Sequence, residues 1–183
     1  QFDAQKGKTP DFLCVSGSTY ALAYEGNSEA GMVKTITIDS AGLIGDSVLD
    51  TLQFDSKGQT PNIIQVSGEI YAIAYSGPGD NGFVKTIRIS VGGAIQDTAI
   101  SALEFDTADG REPSIRFVAG EIYAIAYRGP SDDGFVATID ISSAGVIQVA
   151  GVDRFEFDVK QAYEPILFSV SSGVFALAYR GTN

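Results

Sequence analysis

Side chains suited to binding a polar or charged ligand recur in three loops of similar composition. The loops span residues 25–31, 76–82 and 128–134, and each combines glycine with acidic or amide side chains. Two arginines also follow a repeated tyrosine motif in the last part of the chain. The candidate ligand-binding residues are Asn27, Glu29, Asp80, Asn81, Arg128, Asp132, Asp133 and Arg180. The sequence predicts neither a catalytic residue nor a metal ligand.

The acidic loops allow three interpretations. Asp, Asn and Gly are the residues that tight turns require, so they can serve backbone geometry and solubility alone. Calcium takes roughly six to eight oxygen ligands, whereas each loop offers only about two suitable side chains. The third interpretation is recognition of a polar ligand such as a glycan, where repetition of the loop favours multivalent binding. No cofactor is therefore predicted, and calcium is kept as the alternative.

Composition argues against several other classes of function. The chain has no histidine and therefore lacks the most common general base. Cys14 is the only cysteine, which excludes an internal disulfide and a zinc site built from several thiolates. With 12 basic and 23 acidic residues, the net charge of -11 opposes nucleic-acid binding. No apolar run approaches the roughly 18 residues of a membrane-spanning helix, so no membrane insertion is expected.

The loops belong to a repeat of 51 or 52 residues. Each copy carries an Ala-[Leu/Ile]-Ala-Tyr segment, a Phe-Asp pair and a proline at constant offsets. The tyrosines are Tyr24, Tyr75, Tyr127 and Tyr179, the Phe-Asp pairs begin at Phe2, Phe54, Phe105 and Phe157, and the prolines are Pro10, Pro61, Pro113 and Pro165. A period of this size indicates a supersecondary unit that stacks on copies of itself.

Each repeat is predicted to form four β-strands. In the second copy the candidate strands span residues 62–66, 70–75, 83–89 and 94–105, and Gly, Pro, Ser or Asp bounds them. They are rich in β-branched and aromatic residues, which is typical of strands. The second segment has no polar face, so we expect Tyr75 to pack in the core with its hydroxyl bonded to a partner. Four antiparallel strands per repeat favour a β-propeller over the alternative, a β-solenoid.

The repeat resembles those of highly repetitive microbial β-propeller proteins. The shared pattern is Gly-x-[Ile/Tyr]-[Tyr/Phe]-Ala-[Ile/Leu]-Ala-Tyr-x-Gly, a loop, and Asp-Gly-Phe-Val-Lys-Thr-Ile-x-Ile, carried best by residues 68–89 and 120–141. The resemblance implies an all-β fold of propeller blades with four antiparallel strands each, and it transfers no active site. The predicted units are blades at 1–53, 54–104 and 105–156 and a half blade at 157–183.

Three and a half repeats cannot close a propeller ring of the usual four to eight blades. We expect a homo-oligomer, a second chain or further sequence to complete the ring, because an open arc leaves apolar faces uncovered. In a propeller the first strand of each blade lines the central channel, and the candidate loops open on one face. Lys34 and Lys85 recur at one position where the third copy has Ala137, so a charge there is expected to be dispensable.

The sequence predicts a non-catalytic binding or adhesion module, extracellular or on the cell surface, that recognises a polar ligand such as a glycan. The missing histidine and the near-identity of the repeats support this prediction. One alternative is a structural or self-assembly unit of an oligomer or filament. The other is a carboxylate- or metal-dependent enzyme acting on polysaccharide, although no carboxylate stands out as unique to one copy.

Overall fold

A computed structural model describes residues 2–148 and 153–182 of the chain. The predicted limits of the domain at residues 1 and 183 lie outside the described residues. The described chain is almost entirely β-structure, with three short 3-10 turns at Asn27–Glu29, Pro78–Asp80 and Pro130–Asp132. These turns lie in the three candidate loops, between the second and third strands of a repeat.

The strands form four antiparallel sheets in chain order. Sheet 1 contains β1 (Lys8–Ser16), β2 (Thr19–Glu25), β3 (Gly31–Thr37) and β4 (Asp50–Asp55), and sheet 2 contains β5 (Gln59–Ser67), β6 (Ile70–Ser76), β7 (Gly82–Arg88) and β8 (Ser101–Asp106). Sheet 3 contains β9 (Arg111–Ala119), β10 (Ile122–Arg128), β11 (Gly134–Ile141), β12 (Ile147–Gln148) and β13 (Arg154–Asp158), and sheet 4 contains β14 (Tyr163–Ser171) and β15 (Val174–Arg180).

The four sheets are arranged as consecutive blades of a propeller. Within each complete sheet the strands follow chain order, and the first strand lies at one edge. The first strands of the four sheets line a common cavity of about 590 Å³ at segments that contain Pro10, Pro61, Pro113 and Pro165. The predicted all-β propeller fold is therefore confirmed, with the first strands innermost. The outermost strands β4, β8 and β13 end on the Phe-Asp pairs that precede the next blade.

Face-to-face packing of the sheets explains why the second strands have no polar side. On β6, Ile73 is fully buried in a cluster with Ala21 and Ala23 of the preceding blade. Ala72 and Ala74, which point to the opposite side, pack in a second cluster with Ile125 of the following blade. Small alanines on one face let the neighbouring sheet approach, while bulky side chains on the other face fill the space between sheets.

Side chains of the inner strands also connect the blades through hydrogen bonds. The Asp11 carboxylate accepts hydrogen bonds from the Asn62 side chain and the Ile63 backbone at 2.6 and 2.7 Å. Asn62 Oδ1 in turn accepts from the Ile115 backbone N–H at 2.8 Å, and Ser114 Oγ accepts from the backbone of the next sheet at 3.1 Å. Each blade thus satisfies a backbone donor of the blade that follows, which fixes the rotation between them.

A tyrosine and an aspartate form a second connection that recurs in every repeat. The Tyr75 hydroxyl donates to Asp55 Oδ2 at 2.7 Å, and the ring of Phe54 meets the Tyr75 ring edge-on at 5.0 Å between centroids. Equivalent hydroxyl–carboxylate bonds of 2.7 to 2.9 Å join Tyr24 to Asp3, Tyr127 to Asp106 and Tyr179 to Asp158. The prediction of a buried tyrosine with a bonded hydroxyl is confirmed at Tyr75, which is fully buried.

A cation completes this connection in the first three repeats. Lys34 and Lys85 each donate to the aspartate and to the carbonyl of the preceding phenylalanine. In the third repeat Arg154, from the outermost strand, lies 3.1 Å from Asp106 and stacks on Phe135. The third repeat therefore keeps a cation beside Asp106 although Ala137 stands in place of the lysine, and the dispensability of the charge stays a prediction.

Replacing Tyr75 with Phe tests whether the tyrosine–aspartate bond stabilises the fold. The partly buried Asp55 carboxylate loses one donor, so we expect the free energy of unfolding to fall by about 1.5 to 3 kcal/mol. Tyr179→Phe is the matched control: its hydroxyl makes the same bond on an exposed surface, and we expect a loss below about 1 kcal/mol. Urea unfolding followed by circular dichroism measures both variants, and equal losses would contradict this role of burial.

The same connection predicts how stability depends on pH. Burial raises the pKa of Asp55, but hydrogen bonds from Lys85 and Tyr75 outweigh burial and lower the pKa below its ordinary value of 3.8. The native state then binds fewer protons than the unfolded chain, so this stabilisation is present above about pH 4 and is lost as the pH falls further. The stability difference between wild type and Asp55→Asn should shrink from pH 7 to pH 2.5.

Lys85→Met provides the control for this pH dependence. It removes the hydrogen bond that lowers the pKa of Asp55 most, so the variant should lose less stability than wild type between pH 5 and pH 2.5. Urea unfolding at several pH values supplies the comparison. A difference between wild type and Asp55→Asn that stays constant over this range would show that Asp55 titrates alike in the folded and unfolded states.

Candidate functional site

The inner strands share an unusual backbone conformation where they reach the mouth of the channel. The residue before the proline has a positive φ in all four repeats: 45° at Thr9, 45° at Thr60, 55° at Glu112 and 52° at Glu164. The pairing of the first and second strands shifts register at these points. A side chain other than glycine in this region costs about 1 to 3 kcal/mol, and such conformations concentrate at functional sites.

The repeats differ in chemistry at the same mouth. The residue before proline changes from threonine in two repeats to glutamate in the next two. The preceding residue is Lys8, Gln59, Arg111 or Tyr163, and the residue that ends the second strand is Glu25, Ser76, Arg128 or Arg180. A scaffold of near-identical blades therefore presents four different sets of side chains around one opening.

A polar pocket of about 420 Å³ opens at this mouth. The pocket shares Thr60 and Glu112 with the cavity lined by the inner strands, so the two spaces adjoin. Side chains of both signs surround it, from the candidate loops and from the connections between blades. The pocket residues are Glu25, Glu29, Lys57, Gln59, Thr60, Ser76, Asp80, Arg111, Glu112 and Arg128.

Glu112 is the most firmly positioned carboxylate of the pocket. Arg128 donates to both of its oxygens, at 2.9 and 3.3 Å, and the guanidinium is mostly buried. The backbone N–H of Glu164 in the next sheet donates to Glu112 Oε2 at 2.6 Å. The contact brings the glutamates before Pro113 and Pro165 side by side along the wall of the channel, and the Glu164 side chain is exposed.

Two further cations lie around the pocket, each paired with a carboxylate. Lys57 donates to Asp80 at 2.7 Å, and this hydrogen bond is the main reason that the pKa of Asp80 is lowered. Arg111 forms a two-pronged pair with Asp109, which raises the pKa of the guanidinium. The cations are thus held in fixed positions with part of their surface open to the pocket.

Asp132 collects several donors at the outer side of the mouth. Arg128 donates to it at 2.6 Å, and the Tyr163 hydroxyl donates at 3.1 Å. The bond from Arg128 is the largest cause of the lowered pKa of Asp132, with the Tyr163 bond and the charge of Arg111 adding to it. This network links two consecutive blades, since Tyr163 begins β14.

The structure brings only some of the predicted ligand-binding residues together. Glu29, Asp80 and Arg128 line the mouth pocket, and Asp132 touches it through Arg128. Asn27 lines a different pocket, nearer the outer edge of blade 1. Asn81 donates to Glu104 on an outer strand, Asp133 is half-buried beyond the pocket, and Arg180 lies 4.7 Å from the Tyr163 ring centre.

The loop backbone explains why acidic residues recur there. Glu29, Asp80 and Asp132 all have positive φ values near 65°, and their carbonyls accept hydrogen bonds from Gly58, Gly110 and Ala162. Each loop thereby holds the connection to the next blade. The turn interpretation therefore accounts for these backbone positions, while their side chains form the ion pairs around the mouth.

Sequence reasoning missed five of the pocket residues that carry distinct chemistry. They are Glu25, Lys57, Thr60, Arg111 and Glu112. The signal that could have identified them is divergence at fixed repeat positions, above all the change from threonine to glutamate before proline. Glu25 is a pocket carboxylate without an acidic equivalent in the other copies, where Ser76, Arg128 and Arg180 stand.

Within residues 2–148 and 153–182, no group of three or more His, Cys, Asp or Glu side chains is placed to hold a metal ion. In the same described part of the chain, no helix is long and apolar enough to cross a membrane.

Comparison with known proteins identifies similar folds and no sequence family. No family model matches the chain, and no curated protein sequence matches it. A Bacteroides fragilis structure, provisionally assigned as a 6-phosphogluconolactonase, superimposes with a TM-score of 0.60 at 17% identity over 88% of this chain and 47% of its own. A second such structure, from Bacteroides uniformis, gives a TM-score of 0.55 at 12% identity over 82% of this chain and 43% of its own.

A third similar structure is an α-L-arabinofuranosidase from Lactobacillus brevis, with a TM-score of 0.55 at 10% identity over 93% of this chain and 63% of its own. The chain thus spans about half the length of the two Bacteroides proteins. These solved structures share the fold and carry the names of enzymes. That finding contradicts the prediction of a non-catalytic binding or adhesion module and the prediction that the chain is not an enzyme.

Proposed function

We propose that this chain contributes the active site of a carbohydrate hydrolase, located at the channel mouth. The observation that carries the proposal is the hydrogen bond from the Glu164 backbone to the Glu112 carboxylate, which brings two glutamates of neighbouring blades together in the lining of one open cavity. Hydrolysis at a sugar carbon commonly uses a pair of carboxylates, one to activate water and one to protonate the leaving oxygen.

The names of the similar structures support a sugar-derived substrate. One name denotes a phosphorylated gluconolactone and the other an α-L-arabinofuranoside. Hydrolysis of either compound breaks a bond between a sugar C1 and oxygen. The second alternative drawn from the sequence, a carboxylate- or metal-dependent enzyme acting on polysaccharide, therefore has more support than a binding module.

Glu112 is suited to the role of general base. Arg128 orients both of its oxygens, and the N–H of Glu164 fixes one of them further. In the proposed step, Glu112 takes a proton from water while the water oxygen bonds to C1. The bond from C1 to the leaving oxygen breaks, and Glu164 gives its proton to that oxygen.

The cations around the pocket would supply the electrostatic part of the mechanism. Arg111, Arg128 and Lys57 line the pocket together with Glu112, and Lys57 pairs with Asp80. Fixed positive groups stabilise the negative charge that develops on oxygen during hydrolysis, because they need no reorganisation as the charge forms. Gln59 and Ser76 are neutral hydrogen-bonding groups of the same pocket and suit sugar hydroxyls.

The repeat sequence also supports a proposal about which type of propeller this chain forms. Residues 68–89 and 120–141 carry the pattern of the highly repetitive microbial propellers, and the strand order of sheets 2 and 3 is compatible with it. We include this repeat type in the proposal, as the scaffold on which divergence at a few positions creates the site.

Glu112→Gln and Glu164→Gln test the two assigned carboxylates. Each variant keeps the size of the side chain and removes its ability to exchange a proton, so we expect kcat to fall by about 100-fold or more. The assay uses an aryl α-L-arabinofuranoside and a gluconolactone, with and without a 6-phosphate, and follows product release. Glu104→Gln on the outer strand β8 is the control and should retain wild-type rates.

The outcomes of this assay separate the proposal from its alternatives. Loss of activity in both channel variants with unchanged unfolding curves supports the assigned roles. If wild-type protein hydrolyses one of these substrates and both variants keep full kcat, the carboxylates lie elsewhere. If wild-type protein hydrolyses none of them, the proposal of a carbohydrate hydrolase at this site fails.

Thr60→Val tests whether the Thr60 hydroxyl affects stability and activity in opposite directions. Thr60 Oγ1 is buried without a hydrogen-bond partner, and an unsatisfied hydroxyl costs about 1 to 3 kcal/mol. We expect the isosteric valine to raise the free energy of unfolding by up to about 2 kcal/mol while lowering activity. Thr9→Val, at the equivalent exposed position, is the control; if both variants gain stability equally, the buried hydroxyl is not the cause.

A further inference from the structure

One arginine of the inner strands lines the channel without a carboxylate partner. Arg116 lies on β9, which packs between β5 and β14 of the two neighbouring blades. It borders the cavity of about 590 Å³ that Glu112 and Glu164 also line. Across residues 2–148 and 153–182, no Asp or Glu side chain forms an ion pair with Arg116. The cations of the mouth pocket, in contrast, are all paired with carboxylates.

The charge of Arg116 has no counterpart in the other repeats. The equivalent residues, three positions after the proline, are Leu13, Ile64 and Phe168. Leu13 and Ile64 pack against the apolar clusters between blades. A half-buried charge costs free energy unless a partner compensates it. The fold is therefore built with an apolar residue at this position, and the arginine of the third repeat points to a ligand.

The Arg116 guanidinium is held in place through one of its nitrogens. Nη1 donates to Asn62 Oδ1 at 3.0 Å and to the Ile115 carbonyl at 2.6 Å, and both acceptors are neutral. The N–H groups of Nε and Nη2 make no hydrogen bond to any residue that the structure describes. These two groups point in parallel and form the edge of arginine that binds two oxygens of one oxyanion.

Ser114 provides a further donor beside Arg116. Residues two apart on a strand point to the same side, and both side chains line the cavity. Ser114 Oγ accepts a hydrogen bond from the Leu167 backbone at 3.1 Å, and its hydroxyl hydrogen has no acceptor among the described residues. The anchor Asn62 lies two residues from Thr60 at the mouth, a span of at most about 7 Å. One sugar residue can bridge this distance.

The charges around the cavity favour a carboxylate over a phosphate. Arg116 is the one basic side chain among the described residues that line the cavity, whereas Asp11, Glu112 and Glu164 are acidic. A phosphate monoester carries a charge of about -1.5 to -2 at pH 7, and a carboxylate carries a single charge. Arg116 compensates a carboxylate fully, but a phosphate would keep excess negative charge beside three acidic side chains.

We propose that Arg116 and Ser114 form a subsite for the carboxylate of a sugar acid, so that the substrate contains a uronic acid residue. This inference rests on the proposed function, because it assigns a substrate class to the same site. The sugar C1 lies with Glu112 and Glu164 at the mouth, and the carboxylate lies deeper in the channel on the Nε–Nη2 edge of Arg116. The arginine thereby selects the substrate and fixes its direction in the channel.

An NMR titration of the full chain with glucuronate, glucuronamide and glucose 6-phosphate tests the subsite directly. Glucuronamide has the shape of glucuronate without its charge. We expect glucuronate to bind about 10- to 100-fold more tightly than glucuronamide, because the amide loses the charge-assisted hydrogen bonds, and more tightly than glucose 6-phosphate. Absence of glucuronate binding, equal binding of the amide, or tighter binding of the phosphate would overturn the proposal.

Arg116→Leu tests whether this arginine is the source of the preference. The equivalent Leu13 shows that the fold accommodates leucine, so we expect an unfolding curve close to that of wild type and equal affinities for glucuronate and glucuronamide. Arg116→Lys should retain part of the preference, because lysine keeps the charge without the two-donor edge. Arg88→Leu, at an exposed arginine that ends β7, is the control and should bind like wild type. A leucine variant at position 116 that keeps the preference would overturn the proposal.

Hydrolysis of nitrophenyl glucuronides and glucosides, in both anomeric forms, distinguishes this inference from the proposed function. Faster hydrolysis of a glucuronide, with the preference lost in Arg116→Leu through a raised KM, supports both. Hydrolysis of neutral substrates without a preference for glucuronate in binding overturns the subsite and retains the hydrolase. Binding of glucuronate that depends on Arg116, without hydrolysis of any substrate, supports the subsite and overturns the hydrolase.

Discussion

The structure depends on the burial of each second strand between two neighbouring blades. β2, β6 and β10 have apolar side chains on both faces, so no single blade can shield its own central strand from water. The alanines of one blade pack on the isoleucines of the next, and this contact supplies the apolar area that stabilises the arc. Repeat proteins of this kind are stable only as an array, because each unit uses its neighbours as part of its core.

Polar contacts then specify how the buried faces are oriented. The side chains of Asp11, Asn62 and Ser114 each satisfy a backbone donor of the following blade. The tyrosine–aspartate pairs join the end of one outermost strand to the second strand of the next blade. Apolar packing alone would tolerate sliding, whereas these directional bonds allow one rotation between blades. The fixed rotation between blades therefore determines the geometry of the channel mouth.

The fold was predictable because the sequence pattern of the buried second strand recurs at a constant period along the chain. A two-faced apolar strand at every repeat, with Gly- and Pro-rich turns around it, permits few architectures other than stacked antiparallel sheets. The cation near Asp106 was not predictable from the repeat alignment. Arg154 lies on the strand next to that of Ala137, so only the pairing of β11 with β13 shows that the charge has moved rather than disappeared.

The site was less predictable, and the reason is physical. The composition of loops such as 128–134 suggests a binding site. Some of their acidic residues, however, occupy turn positions whose carbonyls accept hydrogen bonds from the connection to the next blade. The residues before proline are hidden within strands, and their importance arises from the convergence of four inner strands on one cavity. Sequence distance conceals this convergence, since Glu112 and Glu164 are 52 residues apart and yet in contact.

Symmetry of the backbone and asymmetry of the side chains together explain how such a scaffold acquires a site. The four residues before proline keep φ values between 45° and 55° while their identity changes from Thr9 and Thr60 to Glu112 and Glu164. The strained conformation persists in all copies, so it belongs to the architecture of the mouth and not to any one side chain. A substitution there changes the chemistry at a fixed position without moving the blade that carries it. Divergence among the copies therefore distinguishes the candidate site at the rim of this propeller from its structural core.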